Sequence, residues 1–439
     1  MTAIVCQDVN PYLNKPYASL KTSQSHVIHN GNLYTKLSYE MKITSTQKFI
    51  KMIQVIVISI FTCFIALAFQ SIRTLFLAGL KGVEFASVLM PQNFTETRDI
   101  WAVIGSSLGV RDLLVMLKTS THGQNIAEMT LIDHLNSGKI TLKDLRLFSV
   151  TDLIDFFGEN CSKITHLNLQ NFYQIKDNDI ENISKNFKKI NHLSLPSISN
   201  TIMNSSLIHL EKMVLLTSLD LSFCKHISDT NFLQHCKGLT SLNLSGCKQI
   251  KDISILHQCK ELTSLNLSSC IRIKDIKFLQ DSKKLTSLDL SSCLQFEDIS
   301  FLQHCKNLTT LNLSKCKQIQ NYSFLEHCKE LLTLDLSYCN QIFNFNFLQF
   351  CKKLTSLDLS YCDQIYYFDF LQHCKELRTL FLSSCTQIND LTVLEHCKEL
   401  ASLYLSGCRQ INDFSFLNHC KELTILYLSE CTQINDFAF

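Results

Sequence analysis

Regularly spaced cysteines are the first feature of this sequence that could do chemistry. The chain has 439 residues and 21 Cys, of which 18 fall into two columns with a step of 23 residues. The first column runs from Cys224 to Cys431, and the second runs from Cys236 to Cys420 with Ser282 at one of its positions. Thiols can form disulfides, ligate metals or act as nucleophiles. Each of these uses requires a particular arrangement of partners.

The arrangement of the cysteines favours none of these uses. A disulfide framework needs paired cysteines, usually in a short secreted chain, yet Ser282 interrupts its column without leaving an unpaired partner. Metal ligands must converge on one point, whereas the recurrent dipeptide first seen as His235-Cys236 directs neighbouring side chains apart. The thiols lack a basic neighbourhood that would activate them, and no P-loop, G-x-S-x-G or H-E-x-x-H motif occurs. We therefore predict reduced, buried cysteines in a reducing compartment, with no metal, no cofactor and no enzymatic activity.

The 23-residue unit around the cysteines predicts a stack of short parallel strands. One complete copy is L-T-S-L-N-L-S-G-C at residues 239–247, in which alternate leucines point into the protein and the residue between them faces solvent. The central Leu recurs from Leu219 to Leu426, and Leu167 and Leu193 precede this series at steps of 26 residues. One unit cannot bury its leucines alone, so about twelve units must stack.

This unit resembles the leucine-rich repeat pattern L-x-x-L-x-L-x-x-N/C-x-L. The resemblance covers residues 160–439 and implies an α/β solenoid with a curved parallel sheet on its concave side and short helices on its convex side. Cys occupies the position where such repeats usually carry Asn, whose side-chain donor satisfies the backbone. Aspartates such as Asp252 are expected to N-cap the short helices. A column that includes Phe324 and Phe370 is expected to form an aromatic spine behind the strands.

The predicted binding site lies on the concave side near the C-terminal end of the repeats. The residue between the two inward leucines is Asp or Asn from Asp220 to Asp358, and it is then aromatic in three successive copies. Exposed aromatic and Arg side chains dominate the energetics of protein interfaces. The predicted partner-binding residues are Tyr338, Tyr361, Arg378, Phe381, Tyr404 and Tyr427. The alternative is that the aromatic rings stack across strands and only stabilise the terminal repeats.

A hydrophobic segment precedes the repeats. Residues 1–48 are polar without periodicity and are predicted to be flexible, whereas residues 49–73 are predicted to form a hydrophobic helix. Its uncharged core, residues 52–69, is long enough to span a membrane, although a helix buried by the protein or by a partner has the same composition. Basic residues before it favour export of the repeats.

The repeats themselves argue against that export. They carry free thiols, and glycosylation acceptors at Asn243, Asn266 and Asn312 lie on the predicted concave strands. Both features suit a lumenal domain poorly. We therefore predict a location in the cytoplasm or on the cytoplasmic face of a membrane.

Residues 85–125 are predicted to form a small helical module, followed by a helical lead-in or cap at residues 126–159. Residues 89–121 resemble a degenerate F-box, with an L-P opening and a later D-L-L-V-M-L segment. The resemblance implies docking on the adaptor of a cullin–RING ubiquitin ligase. The implied adaptor contacts are Pro91, Ile104, Leu108, Leu113, Leu114 and Leu117. The alternative is an ordinary amphipathic helical cap for the solenoid.

Three functions are consistent with these features. The leading hypothesis is a protein-binding scaffold that serves as an F-box-like substrate receptor and raises the effective concentration of its target near the ligase. The alternative is a membrane-anchored leucine-rich-repeat receptor or adhesin. A ubiquitin ligase with its own active-site Cys has only Cys6, Cys63 and Cys161 as candidates outside the repeats. A net charge of +2 gives no field that attracts nucleic acid, so nucleic acid is not an expected partner.

Two further expectations concern origin and the C-terminal end. The near-identical repeats resemble those of proteins from bacteria and viruses that live inside amoebae, which implies the host cytoplasm as the location of a secreted effector. The sequence ends at Phe439, 13 residues after Leu426 and inside a repeat. Solenoids normally end in a polar cap, so we expect this end either to pair with another element or to be truncated.

Overall fold

The chain divides into two compact units, residues 1–131 and 132–439. The computed structural model describes residues 21–29, 32–40, 110, 113, 114, 117 and 121–431, with the exception of 173, 174 and 197–201. The hydrophobic segment 52–69 and most of the F-box-like segment 89–121 therefore lie outside the described residues.

The first unit contains an antiparallel strand pair. Strands β1 (Lys21–His29) and β2 (Asn32–Glu40) pair over their whole length, with Lys21 opposite Glu40. Asn30 and Gly31 separate them in the sequence, and Asn-Gly strongly favours a two-residue hairpin connection. The expectation that residues 1–48 are flexible was based on their overall polarity. It did not take this local turn signal into account.

Between residue 121 and the first strand of the parallel sheet, the structure describes two α-helices. Helix α1 spans Thr121–Asn136, and α2 spans Val150–Phe157 and continues into a 3-10 helix at Gly158–Lys163. Helix α2 begins after Ser149, whose Oγ accepts the backbone N–H of Asp152 at 3.0 Å. These elements occupy most of the predicted helical lead-in.

The end of α1 is tied to the start of the sheet through one side chain. The Oδ1 of Asn136 accepts the backbone N–H groups of Thr165 and His166 at 2.7 and 3.2 Å. Its Nδ2 donates to the carbonyl of Lys163 at 3.2 Å. Asn136 thereby satisfies backbone groups at the first edge of the sheet, where unpaired groups would otherwise be open to pairing with another chain.

Twelve three-residue strands form one parallel sheet in chain order. They are β3 (His166–Asn168), β4 (His192–Ser194), β5 (Ser218–Asp220), β6 (Ser241–Asn243), β7 (Ser264–Asn266), β8 (Ser287–Asp289), β9 (Thr310–Asn312), β10 (Thr333–Asp335), β11 (Ser356–Asp358), β12 (Thr379–Phe381), β13 (Ser402–Tyr404) and β14 (Ile425–Tyr427). The strands pair in register, so that Leu311 lies between Leu288 and Leu334. The predicted α/β leucine-rich-repeat solenoid is therefore confirmed for the repeat region.

The length of each repeat decides which helix it contains. The first 26-residue step contains α3 (Asp177–Asn186). The second contains α4 (Asn204–Leu207), followed by a 3-10 helix at Ile208–Lys212. Each 23-residue step contains a five-residue 3-10 helix: Asn231–His235, Ser254–Gln258, Lys277–Asp281, Ser300–His304, Ser323–His327, Asn346–Phe350, Asp369–His373, Thr392–His396 and Ser415–His419. A shorter connection favours the 3-10 helix because this helix is used in short pieces.

The aspartates that we expected as N-caps act one position earlier. The N-cap of the helix at Ser254–Gln258 is Ile253, which makes no side-chain cap bond. Asp252 precedes it, and its Oδ1 accepts the backbone N–H of Ser254 at 2.8 Å, which is the geometry of an Asx turn. This hydrogen bond lowers the pKa of the Asp252 carboxyl because it stabilises the carboxylate. Asp298 and Asp413 make the same bond to Ser300 and Ser415.

The aromatic spine contains two interleaved columns rather than one. The ring of Phe370 lies 6.1 Å from that of Phe345 in the preceding repeat and 5.9 Å from that of Phe368 in its own repeat. Tyr322 and Phe347 stack at 5.3 Å in the same way between repeats. The second column lies two positions before the first, at the N-cap of the 3-10 helix, as Phe368 does before Phe370.

Burial of the central leucines is expected to dominate stability. Replacing Leu311, which is 0% exposed, with Ala should lower the free energy of unfolding by about 2–5 kcal/mol, because a cavity remains between two packed repeats. Leu332→Ala removes the same atoms from a residue that is 39% exposed and should cost less than about 1 kcal/mol. Urea unfolding of the full chain, followed by circular dichroism, measures both. Equal losses would show that the leucine core is not the main source of stability.

Candidate functional site

The first cysteine column closes the turn after each strand. The Sγ of Cys270 donates to the carbonyl of Leu244 in the preceding repeat at 3.0 Å, and the same bond recurs from Cys247 to Cys431 at 3.0–3.3 Å. Burial raises the pKa of the Cys270 thiol to about 12, so the group stays protonated and able to donate. The predicted substitution of Asn by a thiol donor is present in the structure.

The second cysteine column serves mainly as packing. Most Sγ–O distances are longer here, for example 3.8 Å from Cys351 to the carbonyl of Leu325 and 3.9 Å from Cys420 to that of Leu394. The exception is Cys305, whose Sγ lies 3.2 Å from the carbonyl of Leu279. Ser282 is buried at the same position of its repeat. The position therefore selects for a small side chain more than for a donor.

The described thiols show no sign of activation for catalysis. All described cysteines are free and buried. Cys161, the one described candidate for an active-site nucleophile, is 1% exposed, and burial raises its pKa to about 11, which opposes formation of a thiolate. Cys6 and Cys63 lie outside the described residues. No cluster of three or more His, Cys, Asp or Glu that could hold a metal ion occurs in the described part of the chain.

The solvent-facing side of the sheet is here called the strand face. The ladder of Asp and Asn side chains on it has a structural role. The Oδ1 of Asn312 accepts the backbone N–H of Ser314 at 2.9 Å. Equivalent bonds recur from Asp220 to Asp358 at 2.8–3.0 Å. Asp and Asn suit this position because a short side chain with an acceptor oxygen closes the turn. Sequence reasoning placed these residues correctly but assigned them no role.

Three aromatic residues, here called the aromatic stack, replace that ladder at its C-terminal end. The rings of Phe381 and Tyr404 stack with centroids 4.4 Å apart, and those of Tyr404 and Tyr427 stack at 4.8 Å. Phe381 and Tyr404 are half-buried, and Tyr427 is 51% exposed. The cross-strand stacking considered as the alternative is therefore present, and it leaves part of each ring accessible to a partner.

Tyr338 and Tyr361 form a second stacked pair at a different position of the repeat. Their ring centroids are 4.2 Å apart, and the Nζ of Lys315 lies 4.9 Å from the Tyr338 ring. Both tyrosines have left-handed backbone conformations, with φ of 61° and 60°, at a position where other repeats have Gly246 and Gly407. Ser269, Lys315 and most other copies have the same left-handed conformation at this position, so it belongs to the turn of each repeat and does not distinguish the tyrosines.

Arg378 lies apart from the rings in the contacts that the structure describes. Its Nη2 is 3.9 Å from a carboxylate oxygen of Glu399 in the next repeat, and both side chains are mostly exposed. Such a surface ion pair is weak. The guanidinium of Arg378 is therefore mostly exposed, and it is not held against the aromatic stack.

Only part of the F-box-like segment is described. Leu113 is fully buried, Leu114 and Leu117 are half-buried, and the N–H of Leu117 donates to the carbonyl of Leu113 at 3.1 Å, as in one turn of a helix. Pro91, Ile104 and Leu108 lie outside the described residues. Within the described residues, no helix is both long and apolar enough to cross a membrane.

Two groups of exposed residues on the outer loops were missed by sequence reasoning. Phe343, Tyr366 and Tyr367 are 74%, 51% and 82% exposed. They lie in the loops that follow the first cysteine column, where neighbouring repeats have polar residues, and Tyr367 replaces the Asp of the Asx turn. Basic residues occupy the same loops around Arg272 and Lys274. The signal was the departure of one copy from its neighbours, which appears only when the repeats are compared position by position.

Comparison with known proteins identifies the repeats. The family model described as leucine-rich repeats in two copies matches residues 214–258, 237–281 and 260–304. A second model, described as a leucine-rich repeat, matches residues 304–321 and 350–365. No curated protein matches the chain by sequence.

Several solved structures are similar to the repeat region. An internalin (inlF) from Listeria monocytogenes is 22% identical with a TM-score of 0.48, over 63% of this chain and 93% of that protein. The functional domain of InlJ from Listeria monocytogenes, described as including a cysteine ladder, is 19% identical with a TM-score of 0.41, over 62% and 64%. The TLR13 chain of a TLR13–ssRNA13 complex is 17% identical with a TM-score of 0.45, over 62% and 48%.

The two cysteine columns are expected to differ in their contribution to stability. Cys316→Ala removes a hydrogen bond of 3.0 Å to the carbonyl of Leu290, whereas Cys328→Ala removes a contact of 3.7 Å to that of Phe324. Because the two substitutions delete the same buried atom, Cys316→Ala should be more destabilising by about 0.5–1.5 kcal/mol. Thermal unfolding of both variants measures the difference. Identical midpoints would assign the first column to packing alone.

Proposed function

Because this chain is a leucine-rich-repeat protein, we propose that it is a scaffold that binds a protein partner on the strand face of its C-terminal repeats. The observation that carries this proposal is the aromatic stack. Seven successive copies use Asp or Asn to close the turn after the strand, and the stack gives up that bond in the last three. The loss of a local stabilising hydrogen bond that the other copies keep is typical of functional sites.

The chemistry of the proposed site suits a protein partner. Partly exposed tyrosines supply a large apolar area with a polar hydroxyl, and they are enriched among residues that dominate binding energy. Tyr361 and Tyr427 are 42% and 51% exposed. The stacked rings hold one another in place, so little side-chain freedom is lost when a partner binds.

The charge beside the stack favours a partner with basic side chains. Asp335 and Asp358 are paired residues of β10 and β11, and Asp358 is paired with Phe381. Burial raises the pKa of the Asp358 carboxyl, and the neighbouring Asp335 carboxylate raises it further, although a hydrogen bond from the N–H of Ser360 opposes the shift. A cation contributed by the partner would relieve this repulsion.

Substitution of the central ring tests the scaffold proposal. Tyr404→Ala should weaken binding at least about tenfold and leave the melting temperature nearly unchanged, because the ring is not part of the buried core. The partner is captured by cross-linking to the full chain, identified by mass spectrometry and titrated as a purified protein. Thr310→Ala, on the strand face far from the stack, is the control. If Tyr404→Ala unfolds, the ring is needed for packing, and the proposal that it forms a binding site is overturned.

We further propose that the scaffold serves as the substrate receptor of a cullin–RING ubiquitin ligase, with residues 89–121 as the F-box-like docking segment. The resemblance of that segment to an F-box supports this, as does the helical bond between Leu113 and Leu117, whose side chain is half-buried. No residue of this chain would perform covalent chemistry, since the scaffold raises the local concentration of its target near a charged enzyme. We propose the cytoplasm, or the cytoplasmic face of a membrane, as its location because the buried thiols are free.

Co-purification with the ligase adaptor tests this second step. The full chain should retain the adaptor, and Leu117→Asp should lose at least about tenfold in affinity, since a charge enters an apolar contact. Leu332→Asp places the same change on a partly exposed residue of the repeats and should bind the adaptor normally. If the folded chain does not bind the adaptor but remains with membranes after alkaline extraction, the membrane-anchored alternative through residues 52–69 is favoured.

A further inference from the structure

Four basic side chains line one groove on the outer loops of two neighbouring repeats. Lys251, Arg272, Lys274 and Lys277, here called the basic groove, surround it together with Asp252, Asp275, Ser254 and Phe278. These loops connect the strands to the 3-10 helices. The groove is therefore separate from the strand face, where the aromatic stack lies.

The groove carries a net positive charge. Within the described residues, none of the four basic side chains has an ion pair within 4.0 Å. The carboxylates of Asp252 and Asp275 each accept a backbone N–H at 2.8 Å, from Ser254 and Lys277. Four cations against two carboxylates leave a formal charge of +2 in the groove.

One member of the groove is held in position by a neutral partner. The Nη1 of Arg272 donates to the Oε1 of Gln249 in the preceding repeat at 2.7 Å. This hydrogen bond orients the guanidinium without neutralising it. The remaining N–H groups of a guanidinium form a planar fork that matches a carboxylate.

Comparison of the copies shows that the fold does not require these charges. The position of Arg272 is Gln249 and Gln295 in the adjacent repeats, and that of Lys277 is Ser254 and Ser300. Lys274 is replaced by Glu297 one repeat later and by Gln320 two repeats later. Arg272 and Lys277 are thus two basic substitutions in a single copy, and they stand beside Lys274, which the preceding copy shares as Lys251.

We propose that the basic groove binds an acidic peptide segment of a protein partner, at a site distinct from the aromatic stack. The cations are spread over two repeats, which suits carboxylates spaced along a chain. The carboxylates of Asp252 and Asp275 lie among them and would repel a single compact dianion such as phosphate. Half-buried Phe278 adds an apolar wall, against which the stem of an acidic side chain can pack.

The decisive variant returns the groove to the sequence of its neighbours. Arg272→Gln, Lys274→Gln and Lys277→Ser together remove three charges and introduce residues that other copies already have at these positions, so the fold should be preserved. The control removes three exposed lysines elsewhere on the repeats, as Lys306→Gln, Lys329→Gln and Lys375→Gln. Both variants have the same net charge.

The measurement is fluorescence anisotropy of a labelled acetyl-octaglutamate amide with the full-length chain at low salt. We expect saturable binding that weakens with salt, a loss of at least about tenfold in the groove variant, and near-normal binding in the control. Tyr404→Ala should bind this peptide normally, which separates this proposal from that for the strand face. Equal losses in the two triple variants would overturn the proposal by showing diffuse charge attraction.

Two further outcomes would overturn the choice of ligand. Displacement of the peptide by millimolar inorganic phosphate, with tighter binding of the phosphate itself, would identify a site for a small anion. Vesicles of phosphatidylcholine and phosphatidylserine that bind the chain through the same three residues, with no binding of the peptide, would identify a membrane surface instead.

Discussion

Every strand residue lies beside its own equivalent in the next repeat, because neighbouring strands pair in register. Leucine beside leucine produces a continuous core, but the same constraint brings identical polar groups together. His166 and His192 stack at 3.9 Å, and burial, with a contribution from His166, lowers the pKa of His192. Asp335 and Asp358 are adjacent, and their carboxylates repel each other. Copies that have Asn at this position avoid this repulsion. A neutral, buried thiol column tolerates such stacking well.

The uniformity of the array also explains where function is to be sought. A position that is the same in every copy is accounted for by packing, by the turn or by the 3-10 helix. Positions that differ in one or two copies need another reason. The aromatic stack, the stacked pair of Tyr338 and Tyr361, and the exposed loop aromatics Phe343 and Tyr367 are of this kind, and so is the basic groove. Together they distribute candidate binding surfaces over both sides of an otherwise repetitive scaffold.

The fold of the repeats could be predicted because period-two alternation and a fixed step determine strand register. The cysteine donors followed from their position after the strand. Other features depend on geometry that a pattern does not carry. The Asx turns of Asp252 and Asn312 need the path of the backbone, and the 3-10 helices need the length left over after the strand and its turn. The basic groove was missed because each repeat was read for what it shares with the others. The F-box-like segment and the hydrophobic segment 52–69 remain predictions.

The interfaces between successive 23-residue repeats are built from nearly the same side chains, so one whole unit can be lost or duplicated and the flanking units still fit together. Neighbouring strands of a sheet are about 4.8 Å apart. Each unit gained or lost between the basic groove and the aromatic stack would therefore change their separation by about one such step. Recombination between near-identical coding segments makes this change without altering either surface. The number of repeats is in this sense an adjustable spacer, which could fit one pair of binding surfaces to targets of different length.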